Sequence, residues 1–67
     1  MELPEILPTK MVLRGGEHDG SIGYELHDMP IAKYLSRKNK NKLVVYRRGE
    51  LLDNGLRAYN YQGLEDW

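Results

Sequence analysis

Apolar positions along the chain fall in short runs, and glycine- or asparagine-bearing segments separate them. Lys10-Met11-Val12-Leu13-Arg14 is an apolar run with charged ends, which predicts a strand. Gly15-Gly16-Glu17-His18-Asp19-Gly20 follows. Its Gly-Gly and Asp-Gly pairs accept positive φ, so a turn or bulged loop is expected. Ser21-Ile22-Gly23-Tyr24-Glu25-Leu26-His27 alternates cleanly, with Ile22, Tyr24 and Leu26 on one face and polar or small residues on the other. Together the two runs predict a hairpin.

Residues 28–41 support two readings. As a helix, Asp28 is the N-cap, Pro30 lies in the first turn, and Ile31, Tyr34 and Leu35 form an i, i+3, i+4 stripe. As a strand over 31–37, the chain turns at Lys38-Asn39-Lys40-Asn41, but Lys33 then shares a face with Ile31 and Leu35. The local pattern slightly favours the helix. Lys42-Leu43-Val44-Val45-Tyr46-Arg47-Arg48 is β-branched and aromatic, hence a strand. Residues 49–55 read as a loop with a strong Asn54-Gly55 turn signal. Leu56-Arg57-Ala58-Tyr59-Asn60-Tyr61 is the last strand, with Gly63 expected to stop it.

The pattern predicts a mainly β fold: a small antiparallel sheet of four or five strands, curled or barrel-like, with a short helix at 30–38 as the alternative to a strand there. The expected organisation is an extended arm over 1–8, interrupted by Pro4 and Pro8, one small β-rich domain over 9–63, and a tail over 64–67. Val12, Ile22, Tyr24, Leu26, Leu35, Val44, Tyr46 and Leu56 are the expected core. Val12 competes with Met11 and Leu13, which share the opposite face of its strand.

Composition sharpens this picture. At 67 residues the chain buries only about 60% of the surface it exposes when unfolded. With no Phe and five Tyr, tyrosine must serve in the core. The absence of cysteine excludes disulfides and thiolate metal sites and fits a reducing cytoplasm. No apolar run approaches the ~20 residues of a membrane span, and Met1-Glu2-Leu3-Pro4-Glu5 lacks the regions of a signal peptide. A cytoplasmic protein without membrane contact is expected.

The net charge is zero, yet the signs are segregated. Lys33, Arg37, Lys38, Lys40, Lys42, Arg47 and Arg48 lie together with no Asp or Glu among them, and acids flank them on both sides. If the 38–41 turn projects, Arg37, Lys38, Lys40 and Lys42 form a basic tip, which Arg47, Arg48 and Arg57 extend. Tyr34, Tyr46, Tyr59 and Tyr61 then offer stacking faces. The partner-binding candidates are Lys33, Arg37, Lys38, Lys40, Lys42, Arg47, Arg48, Arg57, Tyr59 and Tyr61. A protein partner is the leading expectation, because Tyr and Arg are enriched at interface hot spots. Nucleic acid is the alternative, although zero net charge argues against a dedicated binder. A second copy of the chain is a further candidate.

Catalysis has little to build on. Glu17-His18-Asp19 and His27-Asp28 are the two His-plus-carboxylate clusters. In a hairpin they lie about 20 Å apart at ~3.3 Å per residue, and Asp19 before Gly20 is more simply a turn residue. Gly-x-Ser-x-Gly, P-loop and dinucleotide fingerprints are all absent. No enzyme activity, cofactor or metal site is expected.

Three stretches taken together carry a resemblance: Gly15-Gly16-Glu17-His18-Asp19-Gly20, Tyr46-Arg47-Arg48-Gly49, and Gly55-Leu56-Arg57-Ala58-Tyr59-Asn60-Tyr61-Gln62-Gly63. The pattern resembles a loose group of short phage and bacterial proteins of unknown function. In these an apolar strand runs into Gly-Gly-Pro-x-Asp-Gly and the chain ends in a Tyr-x-Tyr-x-Gly strand. It spans about residues 10–63, and the sequence departs from it at Glu17, where the group has Pro. The resemblance implies a small β-rich fold, extended at 31–37, and an accessory role often found in phage genomes. It implies no catalytic residue, and it tips 31–37 towards the strand.

Overall fold

The computed structural model describes residues 9–25 and 29–67. These form five strands: β1 (Thr9–Arg14), β2 (Ile22–Glu25), β3 (Ile31–Leu35), β4 (Lys42–Leu51) and β5 (Arg57–Asp66). They make one mixed sheet in the order β2-β1-β5-β4-β3, curled into a half-barrel. Among the described residues there is no helix, hence none long and apolar enough to cross a membrane. The 30–38 segment is therefore strand and turn. Pairing with β4 turns Ala32 and Tyr34 inward and leaves Ile31 and Leu35 on the outer face.

The sheet consists of the β1–β2 hairpin and the β3–β4–β5 meander, both antiparallel. They join through β1 and β5, which run parallel, with Met11 beside Arg57 and Leu13 beside Tyr59. The expected all-antiparallel sheet thus contains one parallel pair. Two register shifts interrupt β4–β5, between Val45 and Tyr46 and between Arg48 and Leu51. Extra residues at such bulges bend a strand and increase its twist, which curls the sheet. Because of the first shift, β5 does not stop at Gly63. The extra residue is absorbed there, Gly63 takes φ +130, and pairing runs on to Lys42 and Asp66. Residues 64–66, expected in a tail, belong to the strand. β4 likewise extends to Leu51, into the expected loop.

The inner face holds Met11, Leu13, Ala32, Val44, Tyr46 and Tyr59, all buried, with Met29 and Tyr34 packed against them. Tyr46, Tyr59, Met11 and Val44 are the largest fully buried side chains, and each contributes about 1.5–3 kcal/mol by leaving water. Val44 and Tyr46 were expected in the core. Ile22 and Tyr24 were expected there too, but they are 58% and 60% exposed. Register explains this. Gly23 pairs with Met11 and Glu25 with Thr9 on the inner face, which leaves Ile22 and Tyr24 outside beside Val12 and Lys10. Val12, correspondingly, is only partly buried and Met11 and Leu13 replace it. Leu35 is exposed and Leu56 half-buried. Leu26 and the 1–8 arm lie outside the described residues.

The 15–21 loop closes one end of the half-barrel. The Tyr46 hydroxyl donates to the Gly15 carbonyl at 2.8 Å and accepts from the His18 backbone N–H at 3.1 Å. Gly16 has φ +68 and lies under the Tyr61 ring; a Cβ there would come within 2.6 Å of that ring. Only glycine satisfies both the left-handed backbone and the close approach. Asp19 Oδ1 accepts from the Gly15 N–H at 2.6 Å, the turn role expected of it.

Candidate functional site

The ten candidate residues divide into three groups. The first faces inward. Glu25 is 2% exposed, and Arg48 Nε donates to it at 3.2 Å while Arg57 Nε lies 3.6 Å away. The Tyr59 hydroxyl meets both Glu25 Oε2 and the Met29 carbonyl. Arg57 also donates from its guanidinium to the Gly49 carbonyl at 3.1 Å. Burial pushes the Glu25 pKa up, but the Tyr59 hydroxyl and the two arginines outweigh it, so the carboxyl titrates below its ordinary value. Burial, reinforced by the Glu25 charge, pushes the Tyr59 hydroxyl far above its ordinary value. Arg48, Arg57 and Tyr59 are thus engaged in a buried charge network, and Tyr59 presents no stacking face. Tyr46 is also fully buried, while Tyr61 is 39% exposed and packs its ring against Tyr46 at 5.8 Å.

The second group is neutralised across the sheet. Lys33 Nζ lies 2.7 Å from Glu65, and Lys42 pairs with Asp66. The strand pairing that sets Lys42 opposite Asp66 and Leu43 opposite Glu65 folds the C-terminal acids back onto the basic stretch. The charge segregation along the chain is therefore partly cancelled in three dimensions.

The third group is Arg37, Lys38, Lys40 and Arg47. All four are exposed, and among the described residues no carboxylate lies within ion-pair distance of their side chains. Arg47 is on the outer face between Ile31 and Asn60. The other three sit in the 36–41 turn, whose backbone is held from two sides. Ser36 Oγ accepts from the N–H groups of Lys38 and Asn39 at 3.2 and 2.9 Å. Glu17, from the β1–β2 loop, accepts from Ser36 Oγ at 2.7 Å and from the N–H groups of Arg37 and Lys38 at 2.6 and 3.4 Å. The Arg37 N–H and then the Ser36 hydroxyl hold the Glu17 carboxyl below its ordinary value. Asn41 closes the turn at φ +61, a conformation asparagine tolerates well.

The Glu17-His18-Asp19 cluster is divided among structural contacts. His18 Nε2 lies 3.3 Å from the Leu35 carbonyl and 3.6 Å from Glu17, and its ring meets Tyr34 edge-on at 5.8 Å. No group of three or more potential metal ligands occurs among the described residues, and the His27-Asp28 pair lies outside them. Sequence reasoning missed both Glu17 as the clamp of the basic turn and Glu25 as the hub of the buried network. The available signal for Glu25 was the pair of arginines at inward-alternating positions of β4 and β5. For Glu17 no local signal existed, because its partners are about 20 residues away. No protein-family model, curated protein or solved structure matches the chain.

Proposed function

We propose that the protein is a small, non-catalytic accessory protein of the cytoplasm, in keeping with its resemblance to short phage and bacterial proteins, and that it acts by binding another protein through the 36–41 turn and the neighbouring outer face. The observation carrying this reading is the clamp. Glu17 and Ser36 fix the turn's backbone and leave the Arg37, Lys38 and Lys40 side chains in solvent. A preorganised cluster of one sign loses less entropy on binding than a mobile one, and it selects partners by charge complementarity. An acidic protein surface is the matching partner. Protein is favoured over nucleic acid because Lys33 and Lys42 already have carboxylate partners, Arg48 and Arg57 serve Glu25, and Tyr59 is buried.

The test is capture from nuclease-treated and untreated halves of a lysate of the cell in which the protein is made, using the wild-type chain and a Lys38→Glu/Lys40→Glu variant. One protein retained near stoichiometry by the wild type, released by salt and lost by the variant, is the expected outcome. Capture that vanishes on nuclease treatment would replace this reading with the nucleic-acid one. Undiminished capture by the variant would remove the basic turn from the function.

A further inference from the structure

We infer that the partner binds, at least in part, as an added β-strand on the open edge of β3, in the form of an extended segment that is aliphatic on one face and acidic at the end nearest the 36–41 turn. This rests on the protein-binding reading above and specifies its geometry.

The edge is open for a definable reason. The Ser36 N–H donates to Lys42 O at 3.0 Å and the Arg48 N–H to Pro30 O at 2.9 Å, which brackets the β3–β4 ladder. In an antiparallel ladder, alternate residues turn their N–H and C=O towards the neighbour. Residues 30, 32, 34 and 36 therefore face β4, and Ile31, Lys33 and Leu35 point their backbone groups the other way. β3 ends the sheet, so among the described residues no strand receives them. The Leu35 carbonyl alone lies within reach of a side chain, His18 Nε2. Two complete donor–acceptor sets and one further N–H remain for an incoming strand.

The two edges of the sheet are treated differently. β2 has four residues and buries the charge of Glu25 inward, both of which discourage pairing. On β3 the residue suited to guard the edge is Lys33, but its side chain reaches back over β4 to Glu65 on β5, away from the open side. Ile31 and Leu35, 40% and 62% exposed, flank it on the outer face and offer an apolar row to alternate side chains of an added strand.

Charge selects the occupant. A second copy pairing β3 to β3 about Lys33 would set the Lys33 of each copy directly opposite that of the other and add a second set of exposed 36–41 cations along the same edge. Like charges across a sheet are destabilising. An acidic segment from a different protein meets the same cations favourably.

The probe is a fluorescent peptide of alternating valine and threonine ending in a run of aspartates, followed by polarisation at low salt. The wild-type chain and Lys33→Ala, which keeps the backbone N–H, should bind it. Lys33→Pro removes one outward donor and no β4 bond, and should bind about tenfold more weakly than Lys33→Ala. If Lys33→Pro does not fold, the same peptide N-methylated on the residues facing β3 asks the question of the unaltered protein. The amides of Ile31, Lys33 and Leu35 should also slow their hydrogen exchange when the unmethylated peptide is added. Equal binding of the methylated and unmethylated peptides, or failure of both to bind, overturns strand addition. Lysate capture that depends on Lys38 and Lys40 would in either case leave the protein-binding function standing.

Discussion

Glu25 is a carboxylate with almost no contact with water, and without compensation such a charge costs several kcal/mol. Arg48, Arg57 and the Tyr59 hydroxyl supply the compensation, each from a different position on the inner face. Removing the carboxylate strands two arginines. Glu25→Ala should therefore destabilise the fold by about 3 kcal/mol, at the lower end for a broken buried pair, because Arg48 and Arg57 retain some water contact. Glu25→Gln keeps an acceptor for Tyr59 and should cost less. Denaturant titration of both variants measures the difference, and equal loss in the two would mean that shape rather than charge is what the site requires. Tyr59 illustrates the same economy of residues. In a chain without Phe it fills the core with its ring and closes the network with its hydroxyl.

The two loops at the closed end of the half-barrel act as one element. The 15–21 loop sends Glu17 into the 36–41 turn, rests its backbone on the Tyr46 hydroxyl, and lets Gly16 pass beneath Tyr61. Gly16→Ala would add strain at φ +68 and a contact of 2.6 Å with the Tyr61 ring. A destabilisation of about 1–3 kcal/mol is expected, combining left-handed strain with overpacking. Gly20→Ala is the control. Its backbone is also left-handed, at φ +86, but a Cβ there would meet open space. A larger drop in melting temperature for Gly16→Ala than for Gly20→Ala isolates the packing contribution; equal drops would refute the close approach. The hairpin turn at 15–20 was legible because Gly-Gly and Asp-Gly declare their φ values locally. The clamp was not, because a carboxylate in a loop has no periodicity that points to a distant backbone N–H.

For the whole molecule, the buried and clamped groups set a pH window. Glu25 and Glu17 titrate below the ordinary 4.5 in the folded state. Their contribution is fully present above that value and is lost as pH falls through the lower folded values. Tyr59, Tyr46 and Tyr34 titrate above the ordinary 10.0, chiefly through burial. They favour the fold below pH 10 and lose that contribution as pH rises beyond it, where the unfolded chain ionises first. Melting temperature should therefore be flat with respect to these groups between about pH 5 and 10 and fall on both sides. A steep fall between pH 6 and 8 would contradict this assignment of the titrating groups. The sequence by itself determined the β class, the places of β1, β2, β4 and β5 and the turn at 15–20, although it ended β4 and β5 early and its local pattern over 31–37 favoured a helix. What it determined follows from side-chain alternation and from glycine backbone freedom, both of which act over a few residues. Only the tertiary structure decided that β1 runs parallel to β5, that Glu25 rather than Ile22 and Tyr24 faces inward, and that the acids of β5 neutralise Lys33 and Lys42. Each depends on which strand lies beside which, and strand partnership is settled by the summed packing and charge of segments distant along the chain.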